Sequence, residues 1–470
     1  MPAIRYFYTL KQKIYHSLKS ADQQSKFFQL RQKYSYFVYQ SYQIEQCQEL
    51  LRLTFNFNLA DCYHFSPVIE IPFRSFYSWK LPESSLQNLA FHIGMIELIS
   101  YWKLSCAPQV IIRPHKLTEA QLAFWKKLYY QGMGEFFYVN GITVSQEDYL
   151  HLISEGIALK AVEQDFTDGV LVPVGGGKDS VVSLELLKGE ERAIPLIINP
   201  RPASSRCAAV AGFEEDQTAV VWRQLDPLML ELNQQGFLNG HTPFSALLAF
   251  VSLLIAAETG CRHIALSNES SASEATVPGT DINHQYSKSF DFEQDFRAYV
   301  TSYIHPQLNY FSLLRPLNEL QIAERFSLHT AYHRVFKSCN VGSKTDSWCG
   351  QCPKCLFTWI VLSPFLGSKE LEKIFGKPME DDSTLIDVLE SLAGQTAAKP
   401  FECVGTIDEV QAVLNWHRGK ETAFAGSPLL RLYFDRNPNR LVGAHQLTNL
   451  LQAQNRQHFV PRQWLKLMED

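Results

Sequence analysis

The chain has 470 residues, too many for one ordinary core, so two or three domains are expected. Its 46% hydrophobic and 19% charged residues are globular composition and exclude a disordered, fibrous or membrane-embedded protein. A formal charge of −5 gives no electrostatic footprint for nucleic acid, although it is compatible with a local basic pocket for an anionic substrate.

The opening MPAIRYFYTLKQKIY lacks the apolar stretch and small-residue cleavage site of a signal peptide, so nothing there directs export. Residues 1–165 are rich in aromatics and in helical spacing, as in Leu86 to Tyr101 (LQNLAFHIGMIELISY), and predict a mixed, mostly helical N-terminal domain. His92 and Glu97 lie on that helix; a packed core explains such residues at least as well as a pocket. Gly132-Met133-Gly134-Glu135-Phe136 reads as a loop leading into a short strand.

From residue 166 short β-rich runs alternate with helices, the pattern of a parallel sheet covered on both faces. Strands are expected at Gly169 to Val174, Ala193 to Asn199, His263 to Asn268 and Tyr310 to Leu317, with helices at Asp179 to Lys188 and Asn318 to Phe326. The longest apolar run, Phe244 to Ala257, is shorter than the roughly 20 residues that span a bilayer and reads as a buried helix, so no membrane span is expected. The predicted organisation is an N-terminal domain (1–165), a doubly wound α/β catalytic domain (166–367) and a small helical C-terminal region (368–470) with an exposed, charged tail and no catalytic pattern. No repeat or low-complexity segment interrupts it, and no pattern sets an oligomeric state.

At Gly175-Gly176-Gly177-Lys178-Asp179-Ser180 a strand ends in three glycines and runs straight into a helix, leaving backbone N–H groups aimed at one spot where an anion belongs. Lys178 adds a mobile positive charge, Ser180 a hydroxyl, and Asp179 a cap for the helix or a ligand for magnesium. A Walker A loop would need glycine at Val172 and Ser or Thr at Asp179. The string instead resembles the SGGxDS loop of the ATP pyrophosphatase (PP-loop) superfamily, with Gly175 where those loops carry their first serine. That resemblance implies an adenine nucleotide alpha hydrolase-like fold, and ATP cleaved to AMP and pyrophosphate.

Cys349, Cys352 and Cys355 stand at equal intervals in CGQCPKC, and Cys339 lies ten residues upstream as a natural fourth. Four sulfurs make a closed tetrahedral zinc site, whereas a redox CxxC does not need the third cysteine. Ten cysteines with this clustering fit a reducing cytoplasm rather than a disulfide framework. A similar pattern occurs in the QueC family, which makes the 7-cyano-7-deazaguanine precursor.

After the third expected strand the chain reads NESSASEATVPGTDINHQYSKSF, at the strand end where an open parallel sheet binds its ligand. Ser271 to Thr280 reads equally as a solvated loop; Asn283 to Ser289 packs hydrogen-bonding groups of every kind into seven residues. VGGGKDS, SNESSASE, NHQYSKSF and CGQCPKC, with FHIGMIELISYWK upstream, together resemble the MurL family, the UDP-N-acetylmuramoyl-L-alanyl-L-glutamate epimerases of peptidoglycan precursor synthesis. The resemblance runs from residue 70 to residue 365. It implies a UDP-MurNAc-dipeptide substrate, conversion of its terminal L-glutamate to D-glutamate, consumption of ATP and a requirement for Mg2+.

Such chemistry needs two acid/base groups on opposite faces of the reacting carbon. Residues His284, Tyr286, Lys288 and Glu269 are the candidates by chemistry and position; Lys288 serves equally as a phosphate clamp and Glu269 as a magnesium ligand. The rival functions are a QueC-like or other PP-loop ligase, in which an amine attacks the adenylylated carboxylate, and a nucleotide sensor without turnover.

Overall fold

The computed structural model describes residues 22–419, 424, 426–438 and 446–468; the opening segment read above for export signals lies outside them. The chain divides into two compact units. One takes in residues up to Ile71, Pro82–Glu163 and Arg223–Val251; the other takes in Pro72–Leu81, Gln164–Trp222 and the chain from Ser252 onward.

The first unit is built on a sheet rather than on helices alone. Strands β1 (Tyr36–Gln46) and β2 (Leu50–Leu59) form a long antiparallel hairpin, with Phe37 opposite Leu59 and Gln46 opposite Leu51. In β2 the residues Leu51, Leu53, Phe55, Phe57 and Leu59 are buried while Arg52, Thr54 and Asn56 are half-buried, the period of two that a one-sided strand requires. The aromatics expected on helices serve this face instead. Strand β3 (Tyr63–Phe65) pairs antiparallel with β2, β4 (Val68–Pro72) follows, and β5 (Gln109–Ile112) lies parallel to β1. Beyond β5, the two-residue β6 (His115–Lys116) and β8 (Ile157–Ala158) pair with each other, and β7 (His151–Ser154) runs parallel to β5.

Helix Glu83–Trp102 is buried along almost its whole length against this sheet. A Cβ at Gly94 would lie 2.0 Å from the Tyr39 hydroxyl, so only glycine permits that approach. His92 sits in the core between the rings of Trp125 and Phe250, and burial depresses its pKa to about 4. Glu97 forms an ion pair with Arg223 at 2.8 Å. The segment around Gly134, expected as a loop and strand, is the helix Gly134–Val139 following helix Glu119–Gly132.

The second unit carries a parallel sheet of β9 (Thr167–Pro173), β10 (Ala193–Ile198), β11 (Ala219–Gln224), β12 (Cys261–Leu266) and β13 (Asn309–Ser312), in the order β13-β12-β9-β10-β11. The chain adds strands on one side of β9 and then on the other, so the switch point lies at β9. Four of these strands match the expected ones within a few residues; β11 was not expected. Residues from 368 onward, expected as a region of their own, belong to this unit. Leu389, Val413, Leu430 and Trp464 share one core with Val170, Val172, Val181 and Trp359. Helix Phe244–Thr259 contains the long apolar run, and among the described residues no helix is long and apolar enough to cross a membrane.

Candidate active site

Strand β9 delivers Gly175, Gly176 and Gly177 at the switch point, and helix Lys178–Leu187 begins at once, with Gly177 as an N-cap that supplies no side-chain bond. The N–H groups of that first turn have no intrahelical partners. Gly176 adopts φ +86°, and a Cβ there would lie 2.7 Å from the Ser204 backbone nitrogen. A Cβ at Gly177 would meet Ser338 Oγ at 2.7 Å, whereas Gly175 faces open space. The Ser180 hydroxyl works within the loop: it accepts from Gly176 N at 3.1 Å and donates to Gly177 O at 2.9 Å.

Lys178 is not the mobile charge expected of it. Its side chain is buried, and its ammonium is paired with the carboxylates of Asp179 and Glu319. Burial alone would lower the Lys178 pKa, but those two carboxylates raise it above the ordinary lysine range. Asp179, Glu269 and Glu319 each place a carboxylate oxygen within 4.8 Å of the others. Burial pushes Glu319 well above the usual carboxylate range, Lys178 opposes this, and Asp179, Glu269 and Glu409 add to it. Hard oxygen donors at this spacing could hold a divalent cation.

Glu319 and Glu409 were not singled out in the sequence. Glu409 accepts from Glu319 N at 2.7 Å through one oxygen and from Thr406 N at 2.6 Å through the other. Arg315, also unforeseen, is buried and forms an ion pair with Glu293 at 3.1 Å. It donates to the carbonyl of Glu269 at 2.6 Å and to that of Lys288, so one guanidinium positions both residues.

The polar segment divides its labour. Asn283 donates to Ala272 O at 2.9 Å and accepts from Gln285 N at 2.7 Å; Ser289 caps helix Phe290–Tyr303. Tyr286 packs its ring against Phe292, and burial with Asp291 and Asp295 raises its pKa; this turns it towards that helix. Of the four acid/base candidates, His284 and Lys288 are brought together, and what joins them is Cys403. Lys288 Nζ lies 3.2 Å from Cys403 Sγ, and His284 is hydrogen-bonded to the same sulfur. Burial would raise the Cys403 pKa, but Lys288, Lys354 and His284 hold it well below the ordinary thiol range. The strap that carries Cys403 is pinned by Lys399 N to Thr276 O at 2.9 Å and by an ion pair of Lys399 with Glu274.

The four expected cysteines converge. Their Sγ distances are 3.8 Å for Cys339 to Cys352, 3.7 Å for Cys349 to Cys355 and 3.5 Å for Cys352 to Cys355. A tetrahedral ion with sulfur bonds of about 2.3 Å separates its ligands by about 3.8 Å, whereas a disulfide would bring two sulfurs to about 2.05 Å. Backbone N–H groups of Gly342 and Cys349 point at Cys339 Sγ, at 3.1 and 3.4 Å, as thiolate ligands favour. The residues present therefore fit a zinc ion.

The comparisons with known proteins cover most of the chain. The family model described as the MurL N-terminal domain matches residues 28–313, and that of the MurL C-terminal domain matches residues 335–447. A curated relative from Xanthomonas oryzae pv. oryzae is 35% identical over 68% of this chain and 72% of its own length. Relatives from Salinispora tropica and Micromonospora sp. are each 31% identical, over 80% and 84% of this chain and 82% and 89% of their own lengths. All three are named UDP-N-acetyl-alpha-D-muramoyl-L-alanyl-L-glutamate epimerase. No solved structure matches. With both domain models matched in order and relatives this similar over most of its length, the chain belongs to the MurL family.

Proposed function

We propose that this protein converts the terminal L-glutamate of UDP-MurNAc-L-Ala-L-Glu to D-glutamate, and that it does so by first adenylylating a carboxylate of that glutamate with ATP. The substrate reading rests on the relatives' shared name. The observation that carries the ATP reading is the glycine loop at the sheet's switch point, opening beside the carboxylates of Asp179, Glu269 and Glu319.

An α-proton next to a carboxylate is scarcely acidic, because its loss builds a second negative charge beside the first. Attack of the carboxylate on the α-phosphorus forms an acyl-adenylate and expels pyrophosphate, which neutralises that charge. The N–H groups of Gly177 to Asp179 receive the departing phosphates, and Lys178 holds the Asp179 and Glu319 carboxylates beside them. Asp179, Glu269 and Glu319 would hold Mg2+, which neutralises phosphate charge when bound. Loss of the proton from Cα then gives an enolate, return of a proton to the opposite face inverts the centre, and water releases AMP. Cys339, Cys349, Cys352 and Cys355 would hold zinc in a structural role, at the start of helix Pro353–Leu362.

The test is direct. Purified protein is incubated with ATP, magnesium and UDP-MurNAc-L-Ala-L-Glu without any amine, and the glutamate of the product is resolved on a chiral column. D-glutamate with equimolar AMP is expected. AMP formed only when an amine is supplied and consumed would establish a ligase instead.

A further inference from the structure

None of the four acid/base candidates is a free base. Lys288 donates to Cys403 Sγ, His284 is bonded to the same sulfur, Glu269 lies among the carboxylates of Asp179 and Glu319, and Tyr286 faces Phe292. The basic atom that Lys288 and His284 share is the sulfur itself. Cys403 is half-buried as a residue, with its sulfur enclosed by these cationic neighbours. A second observation points to a ligand there. Gln285 is 6% exposed, its Nε2 reaches the carbonyl of Val404, the residue after Cys403, at 3.4 Å, and its Oε1 has no hydrogen-bond partner. A buried amide oxygen left unpaired on a side chain that bonds the backbone next to Cys403 is an acceptor awaiting a donor, such as the amide N–H of a peptide substrate.

We propose that Cys403 is one of the two groups that exchange the glutamate Cα proton, with Lys288 and His284 as its positioning residues. This rests on the epimerase reading. In the step, the Cα–H electron pair passes to the acyl carbon and oxygen as an enolate, while the proton moves to the Cys403 sulfur and converts thiolate to thiol. The negative charge leaves the sulfur but stays beside the Lys288 ammonium. In the reverse direction the thiol returns that proton to the same face. The cations that keep the sulfur deprotonated explain how a thiol can wait as a base at neutral pH.

The experiment uses the full chain with ATP, magnesium and either epimer of the substrate in deuterium oxide, comparing wild type with Cys403→Ala and Cys403→Ser. Wild type should invert both epimers and place deuterium at Cα. In both variants inversion should fall by at least about 100-fold, the scale of a lost acid/base group, while AMP still forms. Deuterium should enter one epimer with retention and fail to enter the other, an asymmetry that a merely structural cysteine would not produce. Inversion within about tenfold of wild type, or equal loss of AMP formation and of exchange in both epimers, would overturn the proposal. Should the variants fail to fold, alkylation of wild type by iodoacetamide decides. Cys403 should be the fastest-labelled thiol and be protected by substrate with ATP; slow labelling at neutral pH overturns it. If wild type makes no D-glutamate at all, the epimerase reading itself has failed.

Discussion

Replacing Arg315 by methionine tests how the site is held. The guanidinium and the Glu293 carboxylate are each 1% exposed and 3.1 Å apart. Removing only the arginine strands a buried carboxylate, which costs about 3–5 kcal/mol. It also takes the donor from the carbonyls of Glu269 and Lys288, each an orphan worth about 1–3 kcal/mol before relaxation, so Arg315→Met should fall at or above the upper part of the first range. The double variant Arg315→Met, Glu293→Leu removes the stranded charge and should recover about half of the loss. Full recovery is barred because Ser312 N, which donates to Glu293 at 2.9 Å, would lose its acceptor. Equilibrium urea unfolding of the four proteins closes the double-mutant cycle. A single variant costing under about 1 kcal/mol, or a double variant no more stable than the single, would refute the assignment of Arg315 as the charge-paired rivet.

Three further outcomes follow from the geometry. Lys178→Ala and Asp179→Asn should each abolish pyrophosphate release, measured with a coupled phosphate assay; near-normal AMP formation in both would remove the phosphate-loop reading. One zinc should copurify per chain by elemental analysis, and Cys352→Ser should lower the melting temperature more than any kinetic constant, since structural zinc contributes folding energy; zinc-free protein with four freely reactive thiols would exclude the site. His417, buried with its Nε2 2.7 Å from Ser363 Oγ, has its pKa lowered by burial from 6.5 to about 4. The unfolded chain takes up this proton below pH 6.5 and the folded chain does not until about pH 4, so stability falls as pH drops through that window, by about 3 kcal/mol for this group. His417→Phe should flatten the slope there, and an unchanged slope in acid titrations would count against it.

The parts of the site carried by short, local patterns were legible in the sequence. The glycine loop and the evenly spaced cysteines are such patterns: the glycines lie between β9 and its helix, and the four sulfurs lie together. The hairpin of the first unit was passed over because the helical spacing of Leu86 to Tyr101 dominated the reading, although the aromatics of Tyr36–Leu59 favour strands and the alternation in LRLTFNFNL, with its period of two, marks a half-buried one. Beyond residue 368, where the sequence shows no catalytic pattern, the residues that reach the loop were hidden for a different reason. Thr406 and Glu409 satisfy a local rule: Glu409 N donates to Thr406 Oγ1 at 3.1 Å and Glu409 Oε2 accepts from Thr406 N at 2.6 Å. That is an ordinary capping box at the start of a helix, and it hides the second oxygen of Glu409, which accepts from Glu319 N. Cys403 has no local signature at all; its meaning comes from Lys288, 115 residues away.

The charge balance around the loop argues that this cluster is kept for chemistry rather than for stability. Asp179 and Glu319 are paired with the Lys178 ammonium, Glu269 and Glu409 lie close enough to raise the Glu319 pKa, and three of the four carboxylates are buried. A fold needing only packing at this point would be as stable or more so with apolar side chains, because each buried carboxylate must recover several kcal/mol of desolvation. A structural ion pair needs only one acid beside Lys178, and here there are two, Asp179 and Glu319. A surplus of negative charge is relieved by a proton or by further positive charge, and a divalent cation carried in with a nucleotide would supply the latter. The cluster would then be least balanced in charge when empty and best balanced when loaded, which would make ligand binding itself a source of stability for the second unit.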